Sequence, residues 1–535
     1  MRRRSLREAL SRRAPPGRER LAQRLVEAGI ECAFTVPGDI MYETLAAACR
    51  EGIAIRACRT QNSALFASAA YNYAKGAVRS AAMITRGPGV TNGVSAIASL
   101  HANALPALVI ASGEDRASAA AGAFQGFDPI PLVTPVTKAV FRTETPDEVD
   151  AVFVEAWKAV TRGRPGPVFL EMKRSSLESA CSAPLQSLDF RKTAPPTTRA
   201  ADLDRIAERL RQASRPLAIL GRGLRWGVAP ARLRAFLEDA ALPFVASPMA
   251  AGVAAAAHPL NRQKDLDGAL SQADFVLLLG ARLNWTFRSG ERLPAEAFVA
   301  QIDIATEIGA QGRNPDIAVT ADLAEALPAL HERVALREQG DRSHSATRTE
   351  FARPIDAGQP ISWERRVARA VDAAAGPDCF FVFDASVSMR VALEEVAPRG
   401  PWSRFTPGTD GHIGSGLGYA IGVQSALPDR QAVLLSGDYS FGLHLADLET
   451  LTRYGIAAKI VVFDNRGLAG PNMGEPELAG LDPRTLRCST PQRFDLVMDA
   501  LGGKGLFASD DASVDKGLAQ LLACDGPALL HVRKV

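Results

Sequence analysis

Two oxygen-bearing side chains follow two apolar segments in the last third of the chain. Asp438 comes shortly after the apolar run 432–435, and Asn465 follows the apolar run 460–463. Leu445, Leu448 and Leu451, spaced three residues apart, lie between them, which predicts a helix. The pattern is therefore strand, helix, strand, the unit of a parallel sheet. Parallel strands end at the same edge of a sheet, so we expect Asp438 and Asn465 to point at one site.

One carboxylate and one amide oxygen suit Mg²⁺, which prefers hard oxygen ligands and leaves coordination positions for phosphates. The helix that begins after Gly437 also offers its amino end to an anion. The sequence thus predicts a site for a cation and a phosphate-bearing ligand at this edge. Taken alone, the local pattern also fits an ordinary strand–helix–strand unit with a turn aspartate.

The composition is that of an ordinary globular protein. The 535 residues are 47% hydrophobic and 23% charged, with a net charge of +3, and give no sign of nucleic-acid binding. No apolar run reaches the length of a membrane span. The Arg-rich start, MRRRSLREALSRR, predicts a basic tail rather than a targeting peptide. The seven cysteines are scattered without a CxxC pair, which predicts a reducing, cytoplasmic setting.

Two polar stretches, near residues 182–199 and 337–359, divide the chain into three blocks. Each block alternates short apolar runs with amphipathic stretches, which predicts parallel sheets covered by helices on both faces. We therefore expect an α/β protein of three doubly wound parallel-sheet domains, at 18–182, 198–336 and 360–535. The clearest strand candidates are 81–85, 107–111, 217–220, 275–279 and 432–435.

The stretch from Gly437 to Asn465 resembles the cofactor motif of thiamine-diphosphate enzymes, which begins GDG and ends NN. Tyr439 replaces the third glycine, and Asp464 replaces the first asparagine. Neither departure removes a side-chain metal ligand of the motif. The resemblance implies that Asp438 and Asn465 bind Mg²⁺ together with the backbone carbonyl of Gly467.

The resemblance extends over nearly the whole chain after Arg18. It implies a pyrimidine-binding, a central and a diphosphate-binding domain. The segments GARLNW (280–285) and LETLTRY (448–454) are reminiscent of oxalyl-CoA decarboxylases and 2-hydroxyacyl-CoA lyases, and acetolactate synthases are broader neighbours. The resemblance implies an enzyme that uses thiamine diphosphate and Mg²⁺ to make or break a carbon–carbon bond next to a carbonyl. Its substrate would be a 2-oxo acid or an acyl-CoA.

The segment 408–422 resembles the family's glycine-rich turn before a helix. In it, Ile413 takes the place of the apolar side chain that bends the cofactor, and the carbonyl of Gly411 would face the cofactor's 4′-amino group. His412 between them is a candidate for proton exchange near neutral pH. The resemblance implies cofactor contacts for Pro37, Gly87, Asn92, Ser386, Gly411, His412, Ile413, Gly437, Asp438, Tyr439, Ser440 and Asn465.

Gln61 is the most consequential departure from the family pattern. The segment 59–76 matches without a gap the family's RHEQ and the helix after it, which places Gln61 at the activating glutamate. A carboxylate exchanges protons, whereas an amide only forms hydrogen bonds. Losing such help typically costs about 10²–10⁴-fold in rate. Two alternatives stay open: an active enzyme, because some relatives lack this glutamate, or a non-catalytic protein that still binds thiamine diphosphate.

Other positions carry weaker implications. Gln125 and Lys138 match polar positions near the substrate of acetolactate-synthase-like enzymes, or are ordinary loop residues. Arg466 and Asn472, in the loop after Asn465, could meet an anionic substrate. Five polar residues at strand ends of the central block suit FAD or ADP, or a vestigial domain; these are Arg222, Arg282, Asn284, Asp303 and Asp322.

The resemblance also implies a homodimer or homotetramer. In that assembly the Gln61 domain of one chain lies over the Asp438 domain of another, so that active sites form between chains.

Overall fold

The computed structural model describes residues 14–182, 184, 199–306, 313–338, 361–468, 480–488 and 492–534. Three β-sheets follow one another along these residues, and all of the strand pairs within them are parallel. The prediction of three parallel-sheet α/β domains is confirmed. The domain boundaries drawn from the sequence stay a prediction.

The first sheet has the strand order β2-β1-β3-β4-β6-β5. Its strands are β1 (Cys32–Val36), β2 (Ala54–Ala57), β3 (Ser80–Ile84), β4 (Ala107–Gly113), β5 (Ala139–Thr143) and β6 (Pro167–Lys173). The helices around it are α1 (Gly17–Glu27), α2 (Met41–Arg50), α3 (Gln61–Lys75), α4 (Pro88–Ala102), α5 (Arg116–Ala120), α6 (Ile130–Val133), α7 (Val149–Thr161) and α8 (Arg174–Glu178).

Alternate residues of this sheet belong to two different apolar clusters. In β3, Ala82 and Ile84 pack in the cluster that contains α3, whereas Ala81 and Met83 pack in the cluster that contains α1. Side chains of a strand point to opposite faces in turn, so both faces of the sheet are covered. This is the doubly wound arrangement, and it explains why the strands read as continuous apolar runs.

The second sheet has the strand order β11-β10-β9-β7-β8. Its strands are β7 (Pro216–Leu220), β8 (Phe244–Ala246), β9 (Phe275–Leu279), β10 (Phe298–Asp303) and β11 (Ile317–Thr320). Its helices are α9 (Ala200–Gln212), α10 (Pro230–Asp239), α11 (Leu266–Gln272) and α12 (Leu323–Glu338).

The third sheet has the strand order β13-β12-β14-β15-β17-β16. Its strands are β12 (Phe380–Phe383), β13 (Arg404–Phe405), β14 (Ala432–Gly437), β15 (Lys459–Asp464), β16 (Lys504–Ala508) and β17 (Ala528–Arg533). Its helices are α13 (Trp363–Ala374), α14 (Val387–Glu395), α15 (Gly416–Ala426), α16 (Asp438–Gly442), α17 (Leu448–Tyr454), α18 (Phe494–Ala500) and α19 (Asp511–Leu522). Counted along each domain, its order matches that of the first sheet, so the outer domains share one topology.

The single helix predicted between the two strands is divided. Helix α16 ends at Gly442, a 3₁₀ turn covers Leu445–Asp447, and α17 begins at Leu448. His444 leaves the helical conformation, with φ −125° and ψ 26°, and its Nδ1 lies 2.7 Å from the carbonyl oxygen of Gly414. Leucine spacing predicted the helical surface but carried no signal for this long-range contact.

The first and third domains of one chain pack directly on each other through α3 and α15. A Cβ at Gly422 would lie 2.1 Å from the carbonyl oxygen of Ala67, so only glycine allows this approach of the two helices. The backbone N–H of Arg59 donates to Asp447 over 2.7 Å, which adds a polar contact beside the helix pair. In the described ranges, no helix combines the length and the apolar character that crossing a membrane requires.

Candidate functional site

Three oxygen atoms converge at the carboxyl edge of the third sheet. The side-chain oxygen of Asn465 lies 2.9 Å from the carbonyl oxygen of Gly467 and 3.2 Å from Oδ1 of Asp438. An amide turned the other way would donate its N–H groups to the same two oxygens. The spacing also matches cation ligands, because an octahedral Mg²⁺ at about 2.1 Å holds neighbouring oxygens about 3 Å apart.

Asp438 is buried at the start of α16, and its Oδ2 has no hydrogen-bond partner among the described residues. Burial, together with the nearby carboxylate of Asp464, raises the pKa of Asp438 to about 7. A buried carboxylate with an unused oxygen is costly unless a cation or a donor compensates it. This orphaned oxygen, in addition to the three converging ones, makes the donor set fit a divalent cation.

Asp464, which stands where the family motif has asparagine, accepts hydrogen bonds from three residues. Its Oδ2 accepts hydrogen bonds from His531 Nε2 at 2.9 Å and Arg533 Nε at 2.8 Å, and its Oδ1 accepts the N–H of Arg466. Burial opposes ionisation, but the hydrogen bonds from His531 and Arg533 keep the pKa of Asp464 below its usual value. His531 and Arg533 both lie on β17, far from Asp464 in the sequence, and no local sequence pattern indicated them.

A small cavity of about 40 Å³ adjoins the three oxygens. It brings together predicted cofactor or metal residues; those in its lining are Ser386, Ile413, Gly437, Asp438, Tyr439, Ser440, Asn465 and Gly467. Ser386 caps the amino end of α14 by accepting the N–H of Met389, and Ser440 donates its hydroxyl to the carbonyl oxygen of Ala385. The amino end of α14 therefore borders this cavity, where it favours an anion.

The glycine-rich turn before α15 is anchored by a residue that the sequence interpretation missed. Asp384 is buried, and it accepts the N–H of Gly414 at 3.0 Å and the hydroxyl of Ser436 at 3.0 Å. Burial raises the pKa of Asp384 to about 6, although these hydrogen bonds oppose the rise. Asp384 follows the apolar strand β12 just as Asp438 follows β14, so the strand-end signal was present for it too.

His412 precedes Ile413, which lines the small cavity, but His412 itself does not line it. Its Nδ1 lies 2.8 Å from the carbonyl oxygen of Ile413, and its Nε2 lies 2.8 Å from Oγ of Ser95 on α4. The ring also meets Phe66 of α3 edge-on, at a centroid distance of 5.0 Å. His412 thus faces the first domain of its own chain.

The predicted residues of the first domain gather at the carboxyl edge of its own sheet; they are Pro37, Gln61, Gly87, Asn92 and Gln125. Gln61 begins α3, and its amide nitrogen lies 3.7 Å from the position of a Cβ at Gly89. A Cβ at Gly87 would lie 2.9 Å from Cβ of Gln125, so these two residues are in contact. None of the five lines the small cavity of the third domain.

Lys138 lies away from these residues. Its ammonium donates to the carbonyl oxygens of Ala159 and Arg162, and burial lowers its pKa to about 8. It therefore fastens α7 to β5 in the way that a structural lysine does. Asn472 lies outside the described residues, whereas Arg466 is exposed with a left-handed φ of 70°.

A larger cavity, of about 830 Å³, runs between all three domains. It shares Ala385 and Ser386 with the small cavity and also reaches Gly411. The five polar residues noted in the central block all line it; they are Arg222, Arg282, Asn284, Asp303 and Asp322. Its volume is in the range of pockets that hold small molecules and cofactors.

The larger cavity is strongly cationic on one side. Burial lowers the pKa of Arg222 to about 10, and the described hydrogen bond of its guanidinium is a weak one to the sulfur of Met249. Burial and the neighbouring Arg282 also lower the pKa of Arg164. Asp303 lies among these groups, and burial raises its pKa although Arg282 and Arg164 oppose the rise. Clustered guanidinium groups with limited access to water are costly unless an anion offsets their charge.

The fold and these sites define a class of protein: an α/β protein of parallel sheets with polar side chains gathered at the carboxyl ends of the strands. Sequence profiles make the class specific. The profile "Thiamine pyrophosphate enzyme, N-terminal TPP binding domain" matches residues 16–132, and "Thiamine pyrophosphate enzyme, central domain" matches residues 203–330. The profile "Thiamine pyrophosphate enzyme, C-terminal TPP binding domain" matches residues 387–532. The chain belongs to the thiamine pyrophosphate enzyme family, which confirms the resemblance.

Three relatives align with nearly the whole length of the chain. It is 26% identical to a 2-hydroxyacyl-CoA lyase of Oryza sativa subsp. japonica, over 95% of this chain and 93% of the relative. It is 26% identical to the oxalyl-CoA decarboxylase of Escherichia coli, over 96% and 93% respectively. It is 28% identical to the acetolactate synthase large subunit IlvG of Mycobacterium tuberculosis, over 96% and 94%. These relatives are lyases, decarboxylases and synthases.

Proposed function

We propose that this chain is a thiamine-diphosphate- and Mg²⁺-dependent enzyme that makes or breaks a carbon–carbon bond next to the carbonyl of an acyl-CoA thioester. Thiamine diphosphate, when bound, supplies a carbon nucleophile that adds to the carbonyl. The carbonyl carbon belongs to an oxalyl-CoA or a 2-hydroxyacyl-CoA in this proposal. The same family also handles 2-oxo acids, so a choice between these substrates needs an observation specific to this chain.

The observation that carries the choice is the cationic cavity. Its arginines, Arg164, Arg222 and Arg282, lie in or near the central domain, and the cavity continues to Ser386 and Gly411 of the third domain. A small 2-oxo acid does not need a cavity of 830 Å³. A CoA thioester has phosphates at one end and a carbonyl at the other, which fits the volume and the charge of this cavity. FAD or ADP would meet the same arginines, but neither places a reacting carbonyl beside the third domain.

The chain's own residues have separate roles in this proposal. The oxygens of Asp438, Asn465 and Gly467 hold Mg²⁺, and the amino end of α14, capped by Ser386, binds diphosphate oxygens. Ile413 props the cofactor, and Gly411 presents its carbonyl beside it. From the first sheet, Gln61 would hydrogen-bond the cofactor ring and Gln125 would contact the substrate.

Two assembly-level statements belong to the same proposal. The first-domain residues Gln61, Asn92 and Gln125 line neither the small nor the larger cavity, so we infer that a second chain completes each site, in a homodimer or homotetramer. All seven cysteines are free thiols, which is consistent with a reducing compartment such as the cytoplasm.

A second candidate function is favoured by Gln61. Because an amide cannot relay a proton, the chain could bind thiamine diphosphate without turning over substrate. The test is to incubate the purified protein with thiamine diphosphate, Mg²⁺ and, separately, oxalyl-CoA, a 2-hydroxyacyl-CoA, pyruvate and glyoxylate, and to follow products by mass spectrometry. Thioester turnover supports the proposal, and turnover of pyruvate or glyoxylate alone contradicts the substrate class. Cofactor binding without turnover of any of the four supports the non-catalytic candidate.

A further inference from the structure

The segment 114–128, which carries Gln125, is held by charged groups at its beginning, near its middle and at its end. At its beginning, Glu114 lies within reach of Arg86 and Arg174. At its end, Asp128 pairs with Arg142. Near the middle, the guanidinium Nε of Arg86 donates to the carbonyl oxygen of Phe124 at 3.2 Å. A segment whose Phe124 side chain is 74% exposed is thus fixed chiefly from its polar inner side.

Arg86 belongs to a closed ring of four alternating charges at the carboxyl edge of the first sheet. Its Nη2 lies 2.5 Å from Asp39 and 3.4 Å from Glu114. Arg174 closes the ring, with 3.1 Å to Asp39 and 3.3 Å to Glu114. The Arg86 side chain is 4% exposed and that of Arg174 is 32% exposed, so the two arginines share carboxylates but differ in burial.

The two residues Arg86 and Gly87 hold the backbone of Gln125 from two sides. Arg86 binds the carbonyl of the preceding residue, Phe124, and Gly87 leaves the space against which Cβ of Gln125 packs. Gln125 has a left-handed φ of 56°, which a residue with a side chain adopts only when its surroundings impose it. The Arg86–Phe124 bond and the Gly87 contact are the restraints next to this residue.

We propose that Arg86 is a positioning residue that holds Gln125 in its left-handed conformation at the edge of the first sheet. The Arg86 guanidinium uses Nη2 for the ion pairs of the charge ring and Nε for the hydrogen bond to the Phe124 carbonyl. These two contacts need two donors fixed in one plane. A lysine has one charged nitrogen and cannot do both with the same geometry. The inference rests on the proposed function in one respect only, which is the loss of turnover expected when Gln125 is displaced.

The geometry supplies a matched pair of variants. Arg86→Lys keeps the charge in the ring and loses the bond to the Phe124 carbonyl. Arg174→Lys also keeps the charge in the ring, and Arg174 makes no described contact with residues 121–127. Any effect of weakening the ring alone is therefore present in both variants, whereas loss of the segment's anchor is specific to Arg86→Lys.

The first measurement is hydrogen exchange by mass spectrometry on peptides that cover residues 121–127, with the full chain and without substrate. We expect amide exchange there to be at least tenfold faster in Arg86→Lys than in the parent, and unchanged in Arg174→Lys. Equal exchange in the parent and Arg86→Lys would overturn the inference. If Arg86→Lys does not fold, Glu114→Gln weakens the hold on the guanidinium, and it is expected to speed exchange in the same peptides and not elsewhere; no change there would overturn the inference too.

The second measurement is turnover of the thioester that the parent uses. A misplaced contact residue typically lowers the rate by up to about 10²-fold, so we expect kcat to fall roughly 10- to 100-fold in Arg86→Lys and in Gln125→Ala, but not in Arg174→Lys. Faster exchange with unchanged kcat in both Arg86→Lys and Gln125→Ala would support the positioning role and contradict the substrate contact assigned to Gln125. The two failures are therefore distinguishable.

Discussion

His412 Nε2 lies 2.8 Å from Oγ of Ser95, a contact that joins the glycine-rich turn of the third domain to α4 of the first. The second ring nitrogen, Nδ1, lies 2.8 Å from the carbonyl oxygen of Ile413, which can only accept. The Nδ1 proton is therefore fixed, and in the neutral ring Nε2 accepts the hydroxyl proton of Ser95. The pair is a histidine with a defined tautomer and a hydroxyl beside it, next to residues proposed to contact the cofactor.

The first prediction separates proton transfer from simple contact at this pair. We expect His412→Asn to lower turnover by about 10²-fold or more, as loss of a general acid–base group does. Ser95→Ala removes the hydroxyl but leaves the ring, and we expect it to cost about 1 kcal/mol of unfolding free energy with less than a tenfold loss of rate. Turnover and chemical denaturation of both variants check this. Equal, small rate losses would mean that His412 only ties the two domains together.

The second prediction concerns the three converging oxygens. We expect Asp438→Ala to abolish Mg²⁺-dependent binding of thiamine diphosphate, because the diphosphate charge then has no cation to neutralise it. Isothermal titration of the cofactor, with Mg²⁺ and with a chelator, measures this. Asp372→Ala is the control, because Asp372 is also an aspartate of this domain but accepts hydrogen bonds from Ala397 and Arg399 and lines neither cavity. Unchanged cofactor affinity in Asp438→Ala would contradict the metal assignment.

Sequence patterns predicted what depends on strand periodicity and strand ends. The run 275–279 is β9 residue for residue, and the residues after β14 and β15 do meet at one edge. This worked because parallel strands are buried on both faces and stop where polar ligand-binding residues begin. Asp438 and Asn465 could be paired without any knowledge of tertiary contacts.

Contacts between distant segments could not be predicted in this way. The hydrogen bonds from His531 and Arg533 to Asp464, and from Asn103 to the carbonyl of Pro407, join segments with no shared periodicity. The packing of α3 on α15 within one chain was not predicted either, because small residues on a helix do not indicate which other helix packs against them. Each of these features depends on how domains meet.

The third prediction tests the cationic cavity. In the proposed complex Arg222 contacts the phosphates of the CoA thioester, so we expect Arg222→Gln to raise KM for that thioester at least tenfold with little change in kcat. Loss of one hydrogen bond to a charged group typically costs about 1.5–3 kcal/mol of binding free energy, which corresponds to at least a tenfold rise in KM. Arg232→Gln, on the exposed face of α10 in the same domain, is the control and is expected to leave KM unchanged. Equal KM values in parent and Arg222→Gln would contradict the assignment of this cavity to the thioester.

The fourth prediction concerns assembly. We expect a dimer at minimum, because the proposed cofactor residues of the first sheet line neither the small nor the larger cavity within one chain. A closed two-fold arrangement is the commonest way for two such edges to meet. Sedimentation velocity over a range of protein concentrations, with turnover measured on the same samples, checks this. A fully active monomer would contradict completion of the site between chains.

The last prediction concerns Gln61. If its amide lies beside the N1′ atom of the cofactor's pyrimidine, restoring a carboxylate with Gln61→Glu should speed proton exchange at the thiazolium carbon by tenfold or more, within the usual general acid–base range. Deuterium exchange of that proton, read by NMR after acid quench, measures this without knowledge of the substrate. Asn62→Asp is a matched control, because it adds the same charge one residue later, where the Asn62 side chain lies 3.3 Å from the backbone N–H of Ala96. Turnover of the physiological substrate need not rise, because steps after the proton exchange can limit the rate and can require the Gln61 amide. An exchange rate that Gln61→Glu leaves unchanged would mean that Gln61 does not lie at N1′ or that another group already acts there, and His412 is then the next residue to substitute.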